Sequence, residues 1–268
     1  MRTYAVTSGK GGVGKTNISA NLAIALADRG QRVVVFDADI GLANLDVVLG
    51  SRTQYTLQQA LTGEKRLSEV IQVGPGGIRL IAGGSGIESL INLSGPKAEA
   101  FLTQLNELER STDILIFDTG AGIDENVMTF LGAADEILLV ATPDPASLTD
   151  GYATAKAILA RKPDASIRVV MNMVDGEQQG RMIYAKLTSI SQQFLGVPLK
   201  YAGFVRSDQQ ALAHIRQRQP FYIANPHLPA SLDIKGIAGV LLGEGLPQRH
   251  QSFTERMKGV IGGLLKAS

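Results

Sequence analysis

The chain has 268 residues, of which 44% are hydrophobic and 19% are charged, a balance that suits one or two globular domains with a sizeable core. Lys and Arg number 26 and Asp and Glu number 25, so the net charge is only +1, and no direct binding of nucleic acid is expected. The absence of cysteine excludes disulfides, zinc–thiolate sites, iron–sulfur clusters and a cysteine nucleophile.

Neither a membrane span nor a secretion signal is predicted. No apolar run approaches the roughly 18 residues that a spanning helix needs. The pattern of the N-terminal segment predicts a strand, and the segment lacks the apolar region of a signal peptide. The three histidines are far apart in the sequence, so no histidine metal site is predicted. The cytoplasm is therefore the expected compartment.

Short apolar, β-rich runs alternate with helical patterns along the chain. Strands are predicted at Tyr4–Thr7, Arg32–Phe36, Ile78–Ile81, Asp113–Phe117, Ile137–Ala141, Ile167–Met171 and Tyr201–Val205. Helices are predicted at Thr16–Asp28, Gly95–Arg110, Ser147–Arg161, Gln178–Phe194 and Ser207–Gln217. Several strands are almost entirely apolar, as in a parallel sheet that is buried on both faces. The alternation predicts an α/β fold: a doubly wound, mostly parallel sheet with helices on both faces.

A phosphate-binding motif lies between the first predicted strand and the first predicted helix. Gly9, Lys10, Gly11, Gly12, Val13, Gly14, Lys15 and Thr16 match GxxxxGK[ST], and Asn17 follows them. Glycines let backbone N–H groups turn toward an anion, and the helix N-terminus adds partial positive charge. We expect Lys15 to reach the β- and γ-phosphates of a nucleotide and the Thr16 hydroxyl to bind Mg²⁺. A chance glycine-rich turn is the weak alternative, because the strand–loop–helix context coincides with the motif.

Lys10 places a second lysine near the start of this loop. The sequence GKGGVGKT resembles the deviant Walker A ATPases of the MinD/ParA class. In that class the extra lysine reaches the nucleotide of a second subunit, so the resemblance implies a homodimer that encloses ATP and hydrolyses it slowly. A second cation there would stabilise charge that develops during phosphoryl transfer. The alternative for Lys10 is a solvated loop lysine.

Two carboxylates, Asp37 and Asp39, end the second predicted strand. Carboxylates at the carboxyl end of a parallel strand face the ligand crevice. The segment 37–46 resembles the class motif DADxGLxNLD, whose second aspartate orients the attacking water, and the resemblance gives this role to Asp39. Asp37 is expected to serve Mg²⁺ or the loop structure. An ordinary cap at a strand end is the alternative for both.

A further aspartate, Asp118, ends the apolar strand Ile114–Phe117 in the manner of a Walker B motif. Downstream of a phosphate loop this pattern predicts that Asp118 holds Mg²⁺ through water. The segment Asp118–Gly122 also resembles the switch with which the class senses the γ-phosphate. Gly120 stands where the class commonly has Pro or Ala.

Two residues are expected near the base of the nucleotide. Asn172 follows a late strand, where an amide can both donate to and accept from the edge of adenine. Asp208 occupies the place of the class motif I-P-x-D, although the proline is missing here. A strand cap is the alternative for Asn172, and a helix N-cap is the alternative for Asp208.

Three segments are similar to the MinD-like regulators of flagellar number, the FlhG, FleN and YlxH group. They are Pro143–Tyr152, Gln179–Leu187 and Val73–Ile78, and the likeness extends over nearly the whole chain. By this match Asp150 would pair with Lys10 of a second subunit, the alternative being an acidic residue at a helix start. Many members carry an N-terminal extension that stimulates a signal-recognition-type GTPase. Because this chain begins almost directly at its first strand, that activity is expected to be absent or its segment trimmed.

The last residues, 252–268, are predicted as a detached amphipathic helix that follows an ATPase domain over residues 1–245. Its large apolar side chains share one helical face: Phe253, Met257, Val260, Ile261, Leu264 and Leu265. This pattern, flanked by basic residues, resembles the membrane-targeting helix of MinD-class proteins. The alternative is a helix docked on its own domain, and the glycines within it make a free helix weak.

Together these features predict a MinD-like ATPase with ATP and Mg²⁺ as cofactors. It is expected to dimerise with ATP, to reside in the cytoplasm and on the cytoplasmic face of the cell membrane, and to control flagellar number or placement. The resemblance implies three candidate partners: a flagellar signal-recognition-type GTPase, flagellar switch proteins or a transcription regulator. The alternatives are a MinD-type regulator of the septum site, a ParA-type DNA partitioning ATPase, which would need a basic face, and a non-catalytic nucleotide sensor.

Overall fold

A single twisted sheet forms the centre of the protein in the computed structural model, which describes residues 1–39, 44–84, 86–243 and 252–263. In chain order its strands are β1 (Arg2–Ser8), β2 (Val33–Ala38), β3 (Gln72–Val73), β4 (Arg79–Ala82), β5 (Ile114–Ala121), β6 (Glu136–Ala141), β7 (Ser166–Val174) and β8 (Lys200–Arg206). The strand order is β3-β4-β2-β5-β1-β6-β7-β8. Only the pairing of β3 with β4 is antiparallel among these neighbours.

Helices connect the strands and cover both faces of the sheet. They are α1 (Lys15–Ala27), α2 (Leu45–Val48), α3 (Leu57–Thr62), α4 (Leu67–Val70), α5 (Gly86–Ile91), α6 (Gly95–Arg110), α7 (Glu125–Ala133), α8 (Pro145–Arg161), α9 (Glu177–Leu195), α10 (Gln209–Arg216), α11 (Phe221–Ala224), α12 (Pro229–Gly243) and α13 (Phe253–Gly263). A short 3-10 turn at Pro75–Gly77 precedes β4.

Two apolar layers result, one on each face of the sheet. On one face Leu22 of α1 and Ile234 of α12 pack in a cluster with alternate side chains of the central strands. On the other face Phe101 of α6 and Phe130 of α7 pack in a cluster with Phe117 of β5. Because both faces are covered, the central strands are apolar at nearly every position, which confirms the fold class expected from the sequence.

The seven predicted strands are all present in the structure, whereas the edge strand β3, the short helices α2 to α5 and α11, and the helices α7 and α12 were not predicted. The edge strand β3 is only two residues long, too short for a recognisable alternation. Helix α12 carries apolar residues on more than one side because it packs against both α1 and β8, so a single apolar stripe does not mark it.

The carboxyl ends of the parallel strands lie along one edge of the sheet, with the end of β1 near its middle. This strand lies between β5 and β6, at the centre of the sheet. The chain leaves β1 into the glycine-rich loop that precedes α1, so the loop lies where connections diverge to the two sides of the sheet. Ligands of open α/β sheets bind at such a point.

The terminal helix α13 is not detached, which corrects the expectation from the sequence. Phe253, Met257 and Ile261 are buried in the same apolar layer as α6 and α7, and the Phe253 ring lies 6.0 Å from the ring of Phe117. These three residues were expected on a membrane-facing surface. In the structure α13 is docked on its own domain, which was the alternative interpretation. Of the other predicted membrane residues, Leu264 and Leu265 lie outside the described residues, and Val260 is described only in its backbone.

Polar contacts fix the start of α13. The carboxylate of Glu109 accepts hydrogen bonds from the backbone N–H groups of Phe253 and Thr254 and from the Thr254 hydroxyl. Arg256 donates to the backbone oxygen of Ala133 and forms an ion pair of 3.2 Å with Asp135, in which both side chains are about nine-tenths buried. Within the described parts of the chain, no helix combines the length and apolar character needed to cross a lipid bilayer.

A candidate nucleotide-binding site

The loop from Gly9 to Gly14 joins β1 to α1, as the motif predicted. Gly14 precedes the helix with a φ of +92°, a conformation that favours glycine. A side chain at Gly14 would also collide with the amide of Asn172, which donates a hydrogen bond of 2.8 Å to the backbone oxygen of Val13. The end of β7 therefore holds the loop in place, and this contact depends on the absence of a β-carbon.

The other end of the loop is equally close to α8. A β-carbon on Gly9 would collide with the backbone of Asp150. The Ser8 hydroxyl donates a hydrogen bond of 2.7 Å to the backbone oxygen of Lys10. The loop is thus fixed between α8 and β7, which leaves its backbone N–H groups and the N-terminus of α1 to meet an anion.

Lys15, at the first position of α1, is buried, with only 8% of its surface exposed. Burial lowers its pKa, although the carboxylates of Asp118 and Asp39 act in the opposite direction. A phosphate in the loop would bring negative charge next to this ammonium group and favour its charged form. The position therefore suits a phosphate ligand.

Two buried carboxylates lie side by side at the ends of β2 and β5, where Asp37 and Asp118 are neighbours in the parallel register. Burial, reinforced by the charge of Asp118, raises the pKa of Asp37 to about 7. Burial likewise raises the pKa of Asp118 to about 6, although hydrogen bonds from the hydroxyls of Ser19 and Thr16 oppose the rise. The Ser19 bond is 2.7 Å long.

This carboxylate pair fits a magnesium ion that is bound mainly by phosphate and water. Among the described residues, no three His, Cys, Asp or Glu side chains form a ready-made metal site. Mg²⁺ in phosphate sites commonly needs only one or two protein ligands. A divalent cation beside Thr16 and Asp118 would offset the repulsion between the two carboxylates. Asp37 itself accepts hydrogen bonds from the backbone N–H groups of Asp39 and Leu45, so it shapes the loop after β2.

A cavity of ≈ 700 Å³ opens above these residues. Lys15, Thr16 and Asp39, which the sequence assigned to phosphate, magnesium and water, line it together, and so does Asn17. Asp39 lies close to Gly120, where an added β-carbon would be 3.5 Å from Oδ1 of Asp39. The cavity thus brings together the central part of the predicted site.

Lys10 lies outside this group. It does not line the cavity of its own subunit, and its Nζ forms an ion pair of 2.7 Å with Asp144, in which both side chains are nearly half exposed. Asp144 caps α8 by accepting a hydrogen bond from the N–H of Ala146. The Lys10 ammonium lowers the pKa of Asp144. Within the chain Asp150 contributes more weakly to the electrostatic environment of Lys10. Its expected pairing with Lys10 of a second subunit stays a prediction.

A second cavity of ≈ 190 Å³ adjoins the first and contains both residues predicted to contact the base. Asn172 is 7% exposed and commits one amide hydrogen to Val13. Asp208 caps α10: one carboxylate oxygen accepts from the N–H groups of Gln210 and Ala211, and the other accepts from Ala230 at 3.4 Å. Asp208 is therefore a helix N-cap, which was the alternative interpretation of this residue.

Three residues of the site were missed by the sequence analysis. Asp144 carried a signal, since an aspartate before a proline is typical of a helix start. Ser19 lies one turn beyond Thr16 on the face of α1 that meets Asp118. Met173 gave no signal, because its position depends on an irregularity in the pairing of β7 with β8.

Fold and site together define a P-loop nucleotide-binding protein. The sequence family described as the CobQ/CobB/MinD/ParA nucleotide binding domain matches residues 4–221. The chain belongs to this family, and it is an ATPase of the MinD type.

Known proteins are similar to the chain over most of its length. The antiactivator FleN of Pseudomonas aeruginosa is 41% identical over 255 residues, which cover 95% of this chain and 91% of FleN. The flagellum site-determining protein YlxH of Helicobacter pylori is 40% identical over 240 residues, which cover 89% and 81%. Among solved structures, the septum site-determining protein MinD of Pyrococcus horikoshii in complex with Mg-ADP has a TM-score of 0.69 and 24% identity, covering 90% of this chain and 95% of MinD. The resemblance that the sequence motifs carried is therefore confirmed.

Proposed function

We propose that the protein is an ATP-dependent dimerising ATPase that regulates the number or placement of flagella. Support for the flagellar role comes from the level of identity: 40% to YlxH, a flagellum site-determining protein, against 28–33% to septum site-determining MinD proteins. The candidate partners are those implied by the sequence resemblance, a signal-recognition-type GTPase, flagellar switch proteins or a transcription regulator.

The position of Lys10 carries the proposal that ATP drives dimerisation. The Lys10 side chain does not line the phosphate cavity of its own subunit, and both partners of its ion pair with Asp144 are nearly half exposed. Exposed ion pairs of this kind are weak and can be exchanged for another anion. Lys10 is therefore free to meet the phosphates of a nucleotide held by a second copy of the chain.

The remaining residues divide the work of hydrolysis. Lys15 and the loop N–H groups bind the phosphates, and Thr16 and Asp118 would hold Mg²⁺, which supplies charge neutralisation at the phosphates. Asp39, which directly follows the carboxyl end of β2, lines the same cavity and would orient the attacking water. Lys10 of the second copy would stabilise the charge that develops on the transferred phosphoryl group.

Light scattering with Mg-ATP tests this proposal. Wild type is expected to become dimeric, Asp39→Ala to remain dimeric longer because hydrolysis is slowed, and Lys10→Ala to stay monomeric while it still binds ATP. Lys15→Ala should lose binding itself. Monomeric wild type and Asp39→Ala at saturating ATP would refute the dimer.

In the source organism, deletion of the gene should change flagellar number or position, whereas misplaced septa would favour the septal alternative.

We further propose that α13 binds anionic membranes after it leaves its own domain. Undocking exposes Phe253, Met257 and Ile261 and separates Arg256 from Asp135, so it costs free energy that a bilayer would have to offset. A dimer presents two such helices, and the second binds at high effective concentration. Membrane binding is therefore expected with ATP and weak with ADP.

Sedimentation with vesicles of anionic phospholipid tests this second proposal. Wild type is compared with a variant that ends at Gln251 and with Lys258→Ala, which removes one exposed charge from α13. Wild type should sediment with ATP, the shortened variant should not, and the lysine variant should show increased sensitivity to salt. Sedimentation that persists without α13, or that ignores the nucleotide, would refute it.

A further inference from the structure

Met173 has a backbone conformation that its side chain disfavours. Its φ is +57°, in the left-handed region, and among the described residues only Arg218 shares this property without being glycine. Such a conformation is unfavourable for a residue with a β-carbon and persists where the surroundings impose it, often at ligand sites. In β7 the register against β8 shifts between Asn172 and Val174, so Met173 is the extra residue of a bulge.

The bulge places Met173 at the junction of the two cavities. Five residues line both the phosphate cavity and the neighbouring cavity that contains Asn172 and Asp208: Gly14, Asn17, Met173, Leu212 and Ile215. Met173 is 47% exposed, and its Cε lies 3.7 Å from the position that a β-carbon on Gly14 would occupy. A nucleotide whose phosphates lie in the first cavity and whose base lies in the second passes this junction.

We propose that the Met173 side chain packs against the face of the bound base and so contributes to nucleotide affinity. This inference rests on the proposed binding of ATP in these cavities. A thioether is flexible and polarisable, and sulfur packs favourably against aromatic rings. With Leu212 and Ile215 on α10, Met173 gives the junction an apolar lining, whereas Asn172 supplies the hydrogen-bonding group beside it. The strained bulge is then explained by the position that it gives to this side chain.

A side chain that packs against the face of a base does not distinguish the hydrogen-bonding groups at the edge of that base. Loss of the Met173 side chain should therefore lower the affinities for ATP and GTP by a similar factor. It should leave the binding of inorganic tripolyphosphate unchanged. Substitution of Asn172, in contrast, is expected to change the ratio between ATP and GTP. The two neighbours thus have separable effects.

The experiment is calorimetric titration of Met173→Gly, Met173→Asn and Met173→Leu with ATP, GTP and tripolyphosphate. Glycine and asparagine both tolerate the left-handed conformation, so these variants keep the bulge while they remove the apolar side chain. We expect about a five- to tenfold loss of affinity for both nucleotides and no change for tripolyphosphate. Leucine keeps the apolar contact and should retain most of the affinity.

Arg218→Gly is the matched control, because it relieves the same backbone conformation at an exposed position. It should change thermal stability in the direction that Met173→Gly does and leave affinity unchanged. Unchanged ATP affinity in Met173→Gly and Met173→Asn, or an equal loss for tripolyphosphate, would overturn the proposal. Failure of the underlying ATP site is recognised separately: wild type would then not bind ATP, or Lys15→Ala would bind it equally well.

Discussion

At the scale of single residues, the neighbouring carboxylates of Asp37 and Asp118 contribute to the way stability responds to pH. The pKa of Asp37 is raised to about 7 and that of Asp118 to about 6. Between the ordinary value near 4 and these raised values, the folded protein binds more protons than the unfolded chain. Without nucleotide and metal, the contribution of this pair to the free energy of unfolding therefore falls as pH rises from about 4 to about 7.

Asp118→Asn should remove part of this contribution, since it eliminates one charge and the repulsion that adds to burial in raising the pKa of Asp37. Relative to wild type, the variant should become more stable by on the order of 3 kcal/mol on going from pH 4.5 to pH 8. Urea unfolding in the presence of a chelator measures the difference. Asp164→Asn, on an exposed turn, shows how much of the change follows from removing any negative charge. A constant difference between wild type and Asp118→Asn would contradict the expectation.

Asp144 has two structural functions that can be separated by substitution. Asp144→Asn keeps an oxygen for the helix cap and removes the charge that holds Lys10, whereas Asp144→Ala removes both. We expect the alanine variant to unfold at lower urea than the asparagine variant. Asp144→Asn should also dimerise with ATP at a protein concentration lower by at most about fivefold, because an exposed ion pair opposes release only weakly. Light scattering over a dilution series measures this, and weaker dimerisation would mean that Asp144 assists Lys10.

At the scale of elements, α13 behaves as part of the core. Phe253 is 2% exposed and packs in the aromatic group around Phe117, one residue before Asp118. Phe253→Ala is expected to lower the free energy of unfolding by about 3 kcal/mol, the lower end of the range for a buried phenylalanine, because a terminal helix can also detach. Lys258→Ala on the exposed side of α13 should change it little. Equal unfolding midpoints for the two variants would show that α13 is not docked in solution.

The docking of α13 illustrates what sequence patterns do and do not determine. The apolar face of Phe253, Met257 and Ile261 was evident at helical spacing, but the same pattern serves a bilayer and a protein groove equally well. The long strands and the helices α1, α6, α8 and α9 followed directly from periodicity, and α6 was predicted with its observed bounds. The short helices α2 to α5 contain too few turns for a period to emerge.

The candidate site divides in the same way. Lys15, Thr16 and Asp118 could be placed because their motif fixes both the local backbone and the strand ends. The contacts of Lys10 with Asp144 and of Asn172 with Val13 join residues that are far apart in sequence, so only the fold reveals them. The position of Met173 in the site depends on a bulge in β7, and the residue types in this segment do not predict that bulge.

At the scale of the whole molecule, nucleotide binding, dimerisation and thermal stability are linked by mass action. A ligand at about 100 times its dissociation constant adds about 2.7 kcal/mol to the stability of a folded monomer, independently of protein concentration. If the ATP complex dimerises, the melting temperature should also rise with protein concentration, because the dimer is favoured over two unfolded chains at higher concentration.

Thermal unfolding of Asp39→Ala, in which hydrolysis is expected to be slow, provides this measurement across a hundredfold range of protein concentration. With Mg-ATP the melting temperature should increase along the series, and with Mg-ADP it should stay constant. Lys10→Ala combined with Asp39→Ala keeps the phosphate site around Lys15 and removes the cation that we propose reaches the second copy. The double variant should be stabilised by ATP to a constant extent at all concentrations. A concentration dependence that survives in the double variant would place the dimer contact elsewhere than at Lys10.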